Sequence, residues 1–353
     1  MRVVPDEVFD LVDRQTEFFR DLTADYIINN YELGKSDLIV RFEKGNVQII
    51  KNEELFQNKH LVNVRMSQIA NLFQKKLMKH PVLRDIDVIV PFCLSDSTEP
   101  QMQKIPCLTF CKKAHSNNIL IPSLNALSGY WEISSVDFFD HPLHQKIDKM
   151  CFAGSLTGNT TEPRYNSRLK VAAQASKNPE KYFCKVFRPP LTDKEQFQRT
   201  IDRCKEHYGI YEQSPISDEV LLNSEEGVGI PEQLKYKFQI CADGHVATWS
   251  RLPWQMSANC IPLKIRNSQD TWVEWFYPLL DCSKHVLEFD IEDIDEVYEY
   301  LLSDAQAQMD ISVAGKQFAN KYFSQDLASD IFAQTLILLD KKQNNHFLNR
   351  NEG

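Results

Sequence analysis

The sequence lacks any long apolar run. In 353 residues, Val88–Leu94 and Leu336–Leu339 are among the longest, and both fall far short of the roughly 18 residues of a membrane span. The first fifteen residues carry acidic side chains where a secretory signal needs an unbroken apolar stretch. We therefore expect a cytoplasmic protein with neither a membrane-spanning segment nor an export signal.

An excess of basic residues is also lacking. The chain has 40 Lys and Arg against 49 Asp and Glu, which gives a net charge of −9 and argues against a nucleic-acid partner. A local basic pocket for a phosphorylated small molecule needs only two or three cations and stays open. The nine cysteines are scattered without a C-x-x-C pair, as in a reduced set of buried thiols.

The familiar motifs of several enzyme classes are absent. The sequence contains no G-x-G-x-x-G, G-x-x-x-x-G-K-[ST], G-x-S-x-G or H-E-x-x-H, so nothing in it supports a dehydrogenase, P-loop kinase, α/β-hydrolase or zincin. The pairs Asp85-Ile-Asp87 and Asp293-Ile-Asp295 could chelate Mg²⁺ or Mn²⁺. However, the first precedes an apolar strand, and the second alternates with apolar residues as on a solvated helix. His141 and His144 have no further ligands nearby, so we expect no metal site.

Strands and helices alternate along most of the chain, which predicts an α/β protein with parallel sheets. Only 11 glycines and no tandem repeat argue against propellers and solenoids. In the first half the pattern predicts helices over 5–24 and up to 78, a hairpin over 38–50, strands at 87–94 and 107–111, and a helix over 141–149. In the second half it predicts strands at 150–153, 182–187, 236–242, 260–265 and 285–289, and helices over 165–176, 193–208 and 246–257. The expected domains are 1–145 and 146–335, followed by a helix end and tail over 336–353.

Two loops combine small residues with nearby arginines. Phe152–Gly158 follows a short strand and precedes a helix that carries Arg164 and Arg168, and Tyr236–Gly244 leads toward Ser250-Arg251. Small residues let backbone N–H groups approach an anion, and an arginine adds a two-pronged contact. Both loops follow strand carboxyl ends, where open α/β sheets bind ligands. A Gly-containing turn with solvated arginines remains the alternative.

The order of these elements resembles glycosyltransferase family 90, which comprises lipopolysaccharide-modifying, capsule-associated and protein O-glucosyltransferases. The resemblance covers roughly residues 145–335 and rests on order and spacing. Its elements are Phe152–Gly158, Asn166–Leu169, Lys235–Phe238, Asp243-Gly244, Ser250-Arg251, Trp272–Leu280, His285-Val286 and Val313–Ala319.

The resemblance implies a GT-B architecture, in which two Rossmann-like domains face each other across a cleft, with the acceptor mainly on the first and a UDP-sugar on the second. It also implies an inverting reaction that needs no metal or other cofactor. Asp96 is the nearest match to the family's catalytic base, although the R-D-x-P element is missing here. The donor-binding residues that the resemblance implies are Gly154, Ser155, Arg168, Asp243, Ser250, Arg251, Lys264 and Glu274. Among them, Glu274 is expected to bind the ribose. Among the aromatic neighbours of Glu274, we expect Trp272, Phe276 and Tyr277 to pack in a core.

We therefore expect a cytoplasmic transferase that moves glucose, galactose or xylose from a UDP-sugar to a hydroxyl. The expected acceptor is a lipopolysaccharide or capsular oligosaccharide, because the chain lacks the signal peptide and retention tetrapeptide of luminal relatives. Such an acceptor allows peripheral contact with the inner membrane. Two alternatives stay open: a transferase that acts on protein serine, and a protein that binds nucleotide sugars without catalysis.

Overall fold

The computed structural model describes residues 4–20, 22–33, 37–51, 59–79, 81–94, 105–266 and 272–350, with the side chains at 59–62, 76–79, 81, 82 and 345–350 left aside. The helices of this part of the chain are α1 Asp6–Thr16, α2 Ala24–Asn30, α3 Lys59–Lys79, α4 Leu124–Leu127, α5 Trp131–Phe139, α6 Ser167–Lys177, α7 Lys194–Ile210, α8 Ile230–Gln233, α9 Arg251–Ser257, α10 Ile294–Ser303, α11 Ala305–Tyr322 and α12 Gln325–Arg350. Its strands are β1 Asp37–Glu43, β2 Asn46–Lys51, β3 Asp87–Cys93, β4 Leu108–Thr109, β5 Cys111–Lys113, β6 Ile119–Leu120, β7 Ile147–Ser155, β8 Tyr182–Phe187, β9 Leu221–Leu222, β10 Tyr236–Cys241, β11 Ile261–Ile265, β12 Trp272–Glu274 and β13 Leu287–Phe289.

The chain folds into two compact units. Unit 1 comprises Met1–Gly129, Trp272–Leu279 and Ser324–Gly353, and unit 2 comprises Tyr130–Thr271 and Leu280–Phe323. These bounds differ from a single division at residue 145, since two segments of the second half lie in unit 1. The reason is tertiary pairing: β12 forms an antiparallel pair with β5, and α12 packs against α1 and β3.

Unit 1 is built on a mixed sheet in the order β2-β1-β3-β4-β6. The predicted hairpin is confirmed: β1 and β2 pair antiparallel, and the Lys44-Gly45 turn has φ values of 45° and 83°, as a tight two-residue hairpin turn requires. The strand predicted at 87–94 is confirmed as β3. Helix α12 is hydrogen-bonded to this strand. Asp340 and Gln343 accept hydrogen bonds from the backbone N–H groups of Asp87 and Ile89 at 2.9 and 3.1 Å.

Unit 2 is built on a six-stranded sheet in the order β13-β11-β10-β7-β8-β9, and every pair is parallel. The buried strand residues include Phe152, Phe238 and Leu263. Such apolar strands are typical of a parallel sheet with helices on both faces. The predicted α/β class with C-terminal helices is confirmed, as is the strand–helix alternation of the second half.

Some local predictions were wrong. The helix expected over 141–149 is absent: α5 ends at Phe139, Pro142 has an extended backbone with ψ of 140°, and β7 begins at Ile147. A proline disfavours helical backbone in the residue before it, so His141 and His144 share no helical face. The helix expected over 5–24 ends at Thr16, and a second helix begins only at Ala24. The strand expected at 107–111 is divided between β4 and β5.

Candidate functional site

The strand order of unit 2 creates a crevice between β7 and β10. From β7 the chain proceeds outward through β8 to β9, and it then returns to place β10 on the opposite side of β7. Connections that leave in opposite directions open a gap at the carboxyl ends of the two strands, where doubly wound sheets bind ligands. Gly154 and Ser155 end β7, and Asp243 lies two residues beyond β10. The predicted loops therefore meet at this switch point.

Arg168 spans the two strand ends from the second position of α6. Its Nη1 donates to the carbonyl oxygen of Ser155 at 2.5 Å, and its Nε donates to the carbonyl oxygen of Ala242 at 3.3 Å. One guanidinium thereby joins the end of β7 to the segment after β10. Because a guanidinium has five N–H donors, three remain without a partner among the described residues.

Arg251 reaches the same strand end from the first position of α9. Its Nη2 donates to the carbonyl oxygen of Ala153 at 2.6 Å, and its Nη1 donates to Gln233 Oε1 at 3.3 Å. The ring of Phe152 lies beneath both guanidinium groups, with its centroid 5.0 Å from Arg251 Cζ and 5.9 Å from Arg168 Cζ. Carbonyls two residues apart on one strand therefore hold two cations over one aromatic ring.

The arginines leave the crevice with surplus positive charge. Burial, and to a smaller extent the charge of Arg251, lower the pKa of Arg168 to about 10, although the carboxylate of Asp243 acts in the opposite direction. Burial also lowers the pKa of Arg251. Both arginines stay protonated at neutral pH, yet the side-chain hydrogen bonds given above run to uncharged oxygens. A partly buried cation without a matching carboxylate is costly, and a bound anion would reduce that cost.

Asp243 and Lys264 form an ion pair with each other. The Lys264 Nζ lies 2.7 Å from Asp243 Oδ2, and the two side chains are 7% and 3% exposed. Although burial opposes it, the carboxylate raises the pKa of Lys264. Adjacent strands explain the contact, because Lys264 on β11 is opposite Cys241 on β10. This pair neutralises itself, so the arginines supply the surplus charge.

Asn166 and two glycines shape the loop beside Arg168. The Oδ1 of Asn166 accepts from the backbone N–H groups of Arg168 and Leu169 at 3.0 and 3.2 Å, and its Nδ2 donates to the Thr157 carbonyl at 2.9 Å. Two of the N–H groups at the start of α6 are therefore already bonded. Gly158 has φ of +95°, which only glycine adopts easily, and a Cβ on Gly244 would overlap the Thr157 hydroxyl and lie 2.9 Å from Arg168 Nη2.

The predicted site residues fall into three groups. Seven lie in unit 2 around the carboxyl ends of β7, β10 and β11: Gly154, Ser155, Arg168, Asp243, Ser250, Arg251 and Lys264. Glu274 lies in β12 of unit 1, where it is buried together with Trp272 and Phe276. Asp96 lies outside the described residues.

Three buried residues near the arginines were not among the predicted site residues, although Asn166 begins the Asn166–Leu169 motif element. Asn166 could have been found from its position before a helix, where asparagine is a favoured cap. Gln233 and Glu132 lie on α8 and α5, far away in sequence, and they contact Arg251 and Ser250 only through tertiary packing. No local pattern marks either residue.

The carboxylate pairs considered as metal ligands have other partners. Asp87 accepts two hydrogen bonds from Arg41, at 2.8 and 2.6 Å, and Asp295 lies 3.7 Å from Lys181. Across the described ranges, no group of three or more His, Cys, Asp or Glu residues is placed to hold a metal ion. In the same ranges, no helix combines the length and the apolar character needed to cross a bilayer.

Strand order and charge together define an α/β protein with a cationic crevice at the switch point of a parallel sheet. The family model for glycosyl transferase family 90 matches residues 16–342, which is nearly the whole chain. The protein belongs to this family and is a glycosyltransferase, as the sequence motifs had predicted.

Several solved structures align with part of the chain. The C-terminal domain of a glycosyl transferase group 1 family protein (LpcC) from Francisella tularensis is 13% identical with a TM-score of 0.34, over 58% of this chain and 96% of that one. Anabaena Alr3699/HepE, solved with UDP and glucose, is 10% identical with a TM-score of 0.34. The alignment covers 59% of this chain and 52% of that one. A UDP-forming trehalose-phosphate synthase from Burkholderia xenovorans is 12% identical with a TM-score of 0.35. The alignment covers 62% of this chain and 51% of that one. The chain therefore spans about half the length of these last two proteins. No curated protein matches the sequence.

Proposed function

We propose that the protein is an inverting, metal-independent glycosyltransferase of GT-B type that uses a UDP-sugar. The observation that carries this proposal is the pair Arg168 and Arg251, anchored to carbonyl oxygens of β7 at 2.5 and 2.6 Å. A diphosphate matches two neighbouring guanidinium groups in charge and in the two-pronged hydrogen bonding that each guanidinium offers. The donor sugar is glucose, galactose or xylose.

The two arginines also suit the chemical step. When an acceptor hydroxyl attacks the anomeric carbon, the bond to the β-phosphate breaks and negative charge grows on the leaving oxygen. Fixed cations near that oxygen stabilise the transition state more than the ground state. Arg168 and Arg251 are already held in place by the end of β7, so little reorganisation is needed. They take the place that a divalent cation would have in a metal-dependent transferase.

The acceptor in this proposal is a hydroxyl of a lipopolysaccharide or capsular oligosaccharide, and the enzyme works in the cytoplasm with peripheral contact at the inner membrane. Asp96 is the proposed general base, which takes the proton from the acceptor hydroxyl. It follows the end of β3 at Cys93 by three residues, in line with a base placed just after a strand of the first domain.

Ligand-induced thermal stabilisation tests the donor class. UDP and one of its glucose, galactose or xylose conjugates should raise Tm, because a ligand bound only to the folded state stabilises it by about 2.7 kcal/mol at a hundredfold excess over Kd. The shift should persist in EDTA. ADP and GDP serve as matched controls for the base. If UDP has no effect, or acts only after Mn²⁺ is added, the metal-independent proposal is wrong.

Gly244→Ala should weaken UDP binding about tenfold, which corresponds to about 1.4 kcal/mol. The added Cβ would overlap the Thr157 hydroxyl and press against Arg168 Nη2, so the guanidinium must leave its place between the strand ends. Calorimetric titration with UDP measures the change. Gly209→Ala in α7 is the matched control, since its Cβ meets nothing within 4 Å. Equal UDP affinity in the two variants would contradict the placement of Arg168 at the diphosphate.

A further inference from the structure

A buried glutamate lies directly behind the start of α9. Glu132 on α5 is 7% exposed, and its Oε1 accepts a hydrogen bond from Ser250 Oγ at 2.6 Å. Its other oxygen, Oε2, is also buried and has no partner among the described residues. Burying a carboxylate with so little compensation is costly. The packing of α5 alone does not explain why a glutamate occupies this position.

An apolar core begins at Val136, one helical turn along α5 from Glu132. Helix α5 packs against α8 and α9, and a small core joins Val136, Leu234, Trp254, Ala258 and Cys260. At the end of α8, Gln233 donates from Nε2 to the Val228 carbonyl at 2.8 Å, which turns its Oε1 toward Arg251 Nη1. Two side chains, one from each neighbouring helix, thus hold consecutive residues at the start of α9.

We propose that Glu132 is a positioning residue for Arg251 and that it acts through Ser250. The hydrogen bond from Ser250 fixes the first turn of α9, and the position of that turn determines whether the Arg251 guanidinium meets the Ala153 carbonyl. This inference rests on the proposed function, since it takes the Arg251 guanidinium to be a diphosphate contact.

The same hydrogen bond gives Ser250 a different role from the one its motif implied. A serine hydroxyl has one proton, and an ionised carboxylate only accepts. While Ser250 donates to Glu132, it has no proton left for a phosphoryl oxygen. The Ser250 hydroxyl therefore connects Glu132 with the arginine and, in this arrangement, does not donate to a phosphate.

A double-mutant cycle on UDP affinity tests this inference. Glu132→Ala and Ser250→Ala should each weaken UDP binding about five- to tenfold, and the double variant should be no worse than either single variant. Glu132→Gln should bind UDP almost as the parent does, because its amide oxygen still accepts from Ser250. Val136→Ala is the matched control: it thins the core beside α5 and should lower Tm without weakening UDP binding.

A second cycle avoids any variant of Glu132, in case Glu132→Ala fails to fold. Ser250→Ala in an Arg251→Lys background should cause no further loss, since the effect of Ser250 passes through Arg251. Additive losses in either cycle would mean that Ser250 contacts the phosphate itself, and the inference would be wrong. A different result would contradict the proposed function, namely that the parent protein does not bind UDP at all.

Discussion

Arg251→Lys is expected to weaken UDP binding by about one to two orders of magnitude while the protein stays folded. The Arg251 guanidinium uses Nη2 on the Ala153 carbonyl and Nη1 on Gln233, and it lies over the ring of Phe152. Its remaining donors point from a rigid plane and can form two parallel hydrogen bonds to phosphate. A lysine ammonium keeps the charge but cannot hold two protein acceptors and chelate a phosphate together.

The measurements for this variant are UDP affinity by calorimetry, turnover with a UDP-sugar, and Tm. We expect UDP affinity to fall and turnover to fall further, because a fixed cation stabilises the charge that grows in the transition state more than it stabilises the bound donor. Arg203→Lys is the matched control: Arg203 is an exposed arginine of α7 that donates to the Thr160 carbonyl. Unchanged UDP affinity in Arg251→Lys would remove this residue from the donor site.

Much of unit 2 was predictable from the sequence because its signals are local. Apolar strands followed by small residues predicted β7 and β10 and the loops after them. Parallel strands bring such loops to one edge of a sheet, and Gly154, Arg168 and Arg251 do meet there.

Other features depend on contacts that no local pattern records. The 272–279 segment belongs to unit 1 because β12 pairs with β5, about 160 residues earlier in the chain. Glu132 bonds to Ser250 across 118 positions, and only the packing of α5 on α9 brings them together. In the 141–149 segment the sequence predicted a helix, whereas Pro142 has an extended backbone and β7 begins at Ile147.

The charged side chains at the switch point have different partners, which residue types alone do not reveal. Asp243 and Lys264 form an ion pair at 2.7 Å, which joins the segment after β10 to β11. Arg168 and Arg251 donate to neutral carbonyl oxygens, which leaves their positive charge uncompensated by these contacts. Removal of either arginine should therefore weaken the binding of an anion.

Asp96→Asn should reduce turnover by about 10²–10⁴-fold, the usual contribution of a general base, while UDP affinity stays near that of the parent. The amide keeps the shape of the carboxylate but cannot take the proton from the acceptor hydroxyl, so the attacking oxygen is less nucleophilic. UDP binding should not change, because the diphosphate contacts proposed above are made by Arg168 and Arg251 of unit 2. Steady-state turnover and calorimetric UDP titration on the same preparation separate the two effects. Glu99→Gln, three positions further along the chain, is the matched carboxylate variant. If it abolishes turnover while Asp96→Asn stays active, Glu99 is the base and the assignment of Asp96 is wrong.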